Sequence, residues 1–263
     1  MTSKDPLHVL ILGDQEAPEF AELRRSMTND KRWRCHSTNS GSGSDTGGRA
    51  SCHVVLLLAA RPGRFSPADV QRIRAEHPLA RLVQVVGPWC YGEGRTGPAL
   101  EGVERIAWFE WPYRLPRLVD ETAQLPQTAT PQERVVAELA DFHRAVIGGT
   151  VGVIAANNAD FQMLASACRA FDRAAVWLTA DRAAAERCVA LVAICAGTDG
   201  PEFQATTQTF QAAGEVPKVV CLATPTLEDW HAAQAAGATA MLGQPFRLTD
   251  LAATLAVGLV PTA

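Results

Sequence analysis

The sequence predicts a doubly wound α/β fold built twice in one chain. Three observations carry that prediction. The second half alternates short apolar runs with helical patterns five times, which calls for a parallel sheet covered by helices on both faces. The first half follows the same outline less regularly. A repeat joins the halves: Trp111-Pro112-Tyr113-Arg114-Leu115-Pro116-Arg117-Leu118 aligns with Gln244-Pro245-Phe246-Arg247-Leu248-Thr249-Asp250-Leu251, each time just after the last strand.

The elements follow in order. HVLILG (8–13) reads as a strand, PEFAELRRSM as a helix and RWRCHST as a short strand. NSGSGSDTGG (39–48) is a Gly/Ser-rich flexible segment where a second helix would fall. CHVVLLLAA is a buried strand, PADVQRIRAEH a helix opened by Ser66-Pro67, and RLVQVVG (81–87) a strand. PWCYGEGRTGPALEG (88–102) reads as a loop and RIAWFEW (105–111) as a strand, followed by a Pro-interrupted segment. QLPQTATPQ (124–132) is a linker, and ERVVAELADFHRAV is an amphipathic helix that lies between the domains or pairs with its copy in a homodimer.

In the second half VGVIAAN (151–157) is a strand buried on both faces. Phe161, Leu164, Ala165, Cys168 and Phe171 then fall at helical spacing, with Asp160 placed to start the helix. AAVWLTA (174–180) is a strand, DRAAAERC a helix and VALVAICAG (189–197) a strand. A helix runs from Pro201 to Gly214, KVVCLAT (218–224) is a strand, and the next helix is capped by Thr226 and stopped at Gly237. ATAMLG and LTDLAATLAVGL complete the set. The domains are therefore placed at 1–123 and 149–263, with a linker and helix over 124–148.

Composition limits the function classes. With 263 residues, 47% hydrophobic and 20% charged, the chain can fill two cores and is not disordered. No apolar run approaches the roughly 20 residues that span a bilayer, and the N-terminus runs into a strand pattern rather than a secretory leader. The seven cysteines are scattered and form no Cys-x-x-Cys pair, so neither a zinc site nor a disulfide framework is indicated. These features point to a cytoplasmic protein without cofactor, metal or membrane partner. Residues 1–123 carry 16 Lys/Arg against 15 Asp/Glu, and 124–263 carry 8 against 13. The one basic cluster, Arg24, Arg25, Lys31, Arg32 and Arg34, sits in a half of net charge +1, which does not supply the footprint of a nucleic-acid partner.

GATAMLGQPFRLTDL (237–251) resembles the Gly-Ala…Lys-Pro-Phe…Leu…Leu ending of the CheY-like receiver domains of two-component response regulators. The resemblance covers nearly all of 149–258 and, more weakly, 7–121. It implies two flavodoxin-like domains, each a five-stranded parallel sheet. It also implies a phosphoacceptor carboxylate after the third strand, an acidic pair holding Mg²⁺ after the first, a Ser/Thr after the fourth and a lysine after the fifth.

The residues at those places depart from the pattern. In the second domain Asn157 and Asn158 stand at the acidic pair, Cys195 at the acceptor, Ala223 near the Ser/Thr and Gln244 at the lysine. In the first, Gly13 and Asp14 occupy the acidic pair, Leu58 (or, shifted by one, Ala59) the acceptor, Gly87 the Ser/Thr position and Trp111 the lysine. Sites without their anions have no strong reason to bind Mg²⁺, so both domains are expected to be pseudo-receivers, not enzymes, acting in signal transduction through a protein partner.

By resemblance, the partner-docking face runs through Trp230, Gln244, Phe246 and Arg247. The loop carrying Trp89, Tyr91 and Arg95 has three readings: aromatic packing against Trp108 and Trp111, a partner surface, or a cradle for a nucleotide or phosphate with an aromatic stacked on a base. Asp14 reads as a helix cap or a vestigial ligand. Cys195 reads as strand-end filler or a redox thiol. His8, His53 and His143 are isolated in apolar stretches and read as structural.

Overall fold

The computed structural model describes residues 6–38, 52–93, 100–119, 132–133, 149–179 and 187–256. The chain divides into two compact units, Met1–Trp111 and Pro112–Ala263.

The first unit contains β1 (Leu7–Gly13), a 3-10 turn at Pro18–Phe20, α1 (Ala21–Asn29), β2 (Trp33–Thr38), β3 (Val54–Ala59), α2 (Pro67–Glu76), β4 (Arg81–Val86), a second 3-10 turn at Pro88–Cys90, and β5 (Val103–Ala107). All pairings are parallel, in the order β2-β1-β3-β4-β5. That is the flavodoxin-like order, which reverses direction between β1 and β3 and opens a crevice beyond their carboxyl ends. Every residue of β3 is buried, as its unbroken VVLLLA run requires for a strand covered on both faces. α2 starts where Ser66 accepts from the Asp69 amide while the Asp69 carboxylate accepts from the Ser66 amide, with Pro67 in the first turn.

The last strand stops earlier than its sequence suggests. β5 ends at Ala107, and the WFE that follows turns out of the sheet. The Glu110 amide donates to the Ala107 carbonyl, and the Glu110 carboxylate accepts from the Ala107 amide. Trp108 and Phe109 bury edge-to-face at 5.5 Å between ring centroids instead of alternating along a strand. Trp111 is therefore the first residue of a helix, α3 (Trp111–Val119).

From Pro112 onward that helix belongs to the second unit, rather than the boundary falling near residue 123. The remaining elements are β6 (Thr150–Ile154), α4 (Asn158–Arg169), β7 (Ala174–Trp177), β8 (Cys188–Ile194), α5 (Pro201–Ala212), β9 (Lys218–Leu222), α6 (Leu227–Ala235), β10 (Ala240–Gly243) and α7 (Leu248–Ala256). The sheet order β10-β9-β8-β6-β7 reproduces that of the first unit, again all parallel. Val151, Val153, Val192, Val219 and Leu242 from the sheet meet Leu164 and Cys168 of α4 and Leu251 and Leu255 of α7. Tyr113 of α3 joins the same core.

The cap of α4 differs from the sequence expectation. Asn157 is the N-cap, accepting from the Asp160 amide, and Asp160 sits three residues into the helix with its carboxylate accepting from the Asn157 side-chain amide. α6 has a complete capping box, Thr226 with Asp229. The helices expected over 133–146 and 181–188 lie outside the described residues, apart from Glu133, Arg187 and Cys188, the last of which opens β8. The Gly/Ser-rich segment also lies outside them.

Candidate functional site

In each unit the candidate site is the crevice beyond the carboxyl ends of its strands. In the first, register brings Gly13 beside Leu58 and Ala59 beside Val86, so the residues after β1, β3 and β4 share one rim. Gly13 has a φ of +100°, and a Cβ there would collide with the Leu58 carbonyl, so the close approach of β1 to β3 requires glycine. It turns the chain so that the Asp14 amide donates to the Leu58 carbonyl.

The Asp14 carboxylate is half-buried and paired within the unit. One oxygen accepts from the Ala60 amide at 3.0 Å and the other from the Arg64 Nε at 2.7 Å. Asp14 thus ties β1 to the β3–α2 loop. Leu58 and Ala59 are buried, so either register puts an apolar side chain in the core at the acceptor position.

A second charged network lies along the same rim. Glu93 accepts from the Gly63 amide at 2.7 Å and lies 3.2 Å from Arg105, which also donates to the Cys90 carbonyl. Burial pushes the Cys90 thiol up to about 11. Tyr91 accepts a hydrogen bond from the Trp108 indole at 2.9 Å, which matches the packing reading of that aromatic. Trp89 differs: it is 67% exposed, with the Arg61 guanidinium 4.5 Å from its ring centroid. Arg95 lies outside the described residues.

In the second unit, Cys195 and Gln244 follow β8 and β10, their amides donating to the Cys221 and Leu222 carbonyls, so both flank the end of β9 and Ala223. Cys195 is buried with its Sγ 3.5 Å from the Thr206 hydroxyl, and burial pushes its thiol pKa up, which opposes a thiolate nucleophile. Asn157 is spent on its cap and Asn158 opens α4 beside it. The Trp177 indole donates to the Ala155 carbonyl and stacks on Phe161 at 5.2 Å, covering the chain just past β6. The Gln244–Pro245 peptide is cis.

One carboxylate with a partner across two loops was not singled out from the sequence. Asp229 accepts from the Thr198 hydroxyl at 2.6 Å and from the Thr226 hydroxyl and amide. Burial works to raise its pKa, but those hydrogen bonds outweigh it and hold the carboxyl below its ordinary value. The Thr-x-x-Asp spacing announces the cap, whereas nothing in linear order joins Thr198 to Asp229. Arg64, Glu93, Arg105 and Thr206 were missed likewise, since their partners lie 11 to 50 residues away.

The residues of the expected docking face separate. Trp230 is buried at 6% exposure and Phe246 packs against the core, so the face cannot present Trp230, while Arg247 is exposed and Gln244 half-buried. His8, His36 and His53, far apart in sequence, gather in the first unit: the His8 amide donates to His53 Nδ1, and His8 Nδ1 lies 3.4 Å from His36 Nε2. Among the described residues no three His, Cys, Asp or Glu side chains converge as a metal site. Among them, too, no helix is long and apolar enough to cross a membrane.

No protein-family model matches the chain, and no curated protein matches it. Among solved structures, it is similar to a CheY-like response regulator receiver domain protein from Methanospirillum hungatei, with 14% identity and a TM-score of 0.35 over 40% of this chain and 88% of that one. It is also similar to the E. coli RcsC C-terminus, containing a linker region and a phosphoreceiver domain, with 12% identity and a TM-score of 0.36 over 97% of this chain and 93% of that one. The fold itself is read from the two sheets: each is five-stranded, parallel and flanked by helices, in flavodoxin-like order.

Proposed function

We propose that the chain is a tandem pair of pseudo-receiver domains that works in signal transduction by phosphorylation-independent protein–protein interaction, without catalysis. The observation that carries this reading is the state of the two acceptor positions: Leu58 is fully buried, and Cys195 is buried against Thr206. Around them Asp14 is neutralised by Arg64, and Asn157 is committed to a helix cap. Phosphotransfer needs an accessible nucleophile and a cation held by free carboxylates, and these arrangements favour neither. The test is intact-mass spectrometry of the full chain after incubation with Mg²⁺ and acetyl phosphate. The reading expects an unchanged mass; a stoichiometric phosphate adduct overturns it.

A second reading is favoured by Trp89, whose exposed ring beside Arg61 follows β4 where doubly wound folds receive ligands. On this reading the first mouth binds a nucleotide, the base stacking on Trp89. Nucleotide-dependent thermal stabilisation that is lost in Trp89→Ala supports it, and the absence of any stabilisation removes it.

A further inference from the structure

We infer that Arg173, at the end of the second unit's sheet opposite its crevice, is an anion-binding residue that receives one small oxyanion, a carboxylate or a phosphate, at the turn between α4 and β7. The site is separate from the strand ends described above and does not rest on the protein-interaction reading.

The turn is regular in its backbone and irregular in its residues. Asp172 has a φ of +56°, its amide donates to the Arg169 carbonyl, and the Arg173 amide donates to the Cys168 carbonyl at 3.1 Å. This is a common left-handed ending of a helix, in which glycine ordinarily holds the first place and an apolar residue at the second packs back on the helix. Here aspartate and arginine hold those places. Arg173 nevertheless goes inside, at 3% exposure, where Cys168 is fully buried. An arginine stands where the backbone motif calls for a hydrophobe.

A guanidinium stays charged in a protein, so once buried it needs acceptors. The Arg173 Nη1 is buried with no hydrogen-bond partner. Among the described residues no carboxylate pairs with it, although 13 Asp and Glu lie in residues 124–263. Arg24 and Arg74 each bury an unpartnered Nε too, but another nitrogen of each reaches the Glu16 carboxylate or the Glu101 carbonyl. Cys168 does not supply the missing charge, because burial pushes its thiol up to about 11 and leaves it protonated at neutral pH. An oxyanion would supply it, accepting two parallel N–H bonds from the planar fork of the guanidinium. Solvent is close: β7 is the edge strand of its sheet, and Asp172 and Ala174, on either side of Arg173, are exposed.

The experiment is thermal unfolding of the full chain at neutral pH, titrated with sodium phosphate and separately with sodium acetate, against sodium chloride at the same ionic strength. Wild type, Arg173→Met and Arg173→Lys are compared. Wild type should be stabilised saturably by one or both oxyanions, its Tm rising by about 5 °C at a hundred times Kd. The two titrations distinguish a carboxylate site from a phosphate site. Arg173→Met replaces an unpaired buried charge with an apolar chain, so it should melt no lower than wild type in chloride and gain nothing from either oxyanion. Arg173→Lys keeps the charge without the fork and should need more oxyanion for the same rise. Stabilisation of wild type no greater than that by chloride overturns the inference, as does equal stabilisation of Arg173→Met. If Arg173→Met does not fold, amide NMR of the wild-type chain decides with the same phosphate and acetate titrations. Saturable shifts at Asp172, Arg173 and Ala174, with Asn157, Cys195 and Gln244 unmoved, support the site; no shift at 172–174, or shifts confined to the crevice amides, overturn it.

Discussion

The two crevices differ in where their charge sits. The first keeps its charges and spends them internally, Asp14 on Arg64 and Ala60, and Glu93 on Arg105 and Gly63. The second replaces charge with neutral groups, Asn157 and Asn158 after β6, Cys195 after β8 and Gln244 after β10, and commits Asp229 to Thr198 and Thr226. Two units can thus share strand order and the position of a crevice while the electrostatics at its rim differ.

The sharpest way to break this comparison is to place a carboxylate at each acceptor position. Leu58→Asp places an unpaired charge in the core of the first unit and should cost about 4 kcal/mol in urea unfolding. Cys195→Asp keeps the Thr206 hydroxyl as a partner and should cost about half as much. Equal costs would mean that the two strand ends are not different environments. Next in size, Arg117→Ala removes the 3.3 Å ion pair with buried Asp250 and should lower stability of the second unit by about 2 kcal/mol.

The capping boxes give a smaller, paired test. Asp69 is held below its ordinary pKa first by the Ser66 amide and then by the Ser66 hydroxyl, and Asp229 is lowered by Thr198 and Thr226 despite its burial. A carboxyl depressed on folding stabilises above its unfolded pKa, and that contribution disappears as the pH falls through the folded value. Both units should therefore lose this stabilisation below about pH 4. Asp69→Ala and Asp229→Ala should each cost about 1 kcal/mol at neutral pH, with Asp229→Ala the larger because Thr198 is orphaned too. Denaturation across acidic pH should show a flatter profile in each variant, and an unchanged profile contradicts the assignment. Trp89→Ala should be nearly silent in stability, under about 0.5 kcal/mol, since its ring is mostly in solvent.

Much of the fold was legible because parallel strands buried on both faces announce themselves as apolar runs: VVLLLA, RLVQVV and the run ending at Ile194 each became a strand. The end of β5 was not, because Trp108 and Phe109 are as apolar as strand residues, and the strand ends where the Glu110 amide and carboxylate turn back on Ala107. Trp230 shows a related limit. Its place on α6 followed from periodicity, but whether it faces the core or solvent depends on packing between elements. The repeat around Pro112 and Pro245 was visible in sequence. That its first copy packs in the unit of the second was not, since the match of Arg117 to Asp250 spans 133 residues. Asp14 was located by its strand end, while its partner Arg64, and the pairs Glu93–Arg105 and Thr198–Asp229, join segments that only the fold brings near.

The central claim is that neither crevice offers a cation and an acceptor to a phosphoryl group. The most direct measurement is a titration of isotope-labelled full-length chain with Mg²⁺ and then beryllofluoride, followed by amide NMR at Gly13, Asp14, Ala60, Asn157, Cys195 and Gln244. The account predicts no saturable shift at any of these amides. Saturable shifts at Asp14 and Ala60, or at Asn157 and Cys195, would show a live receiver site in that unit and contradict it.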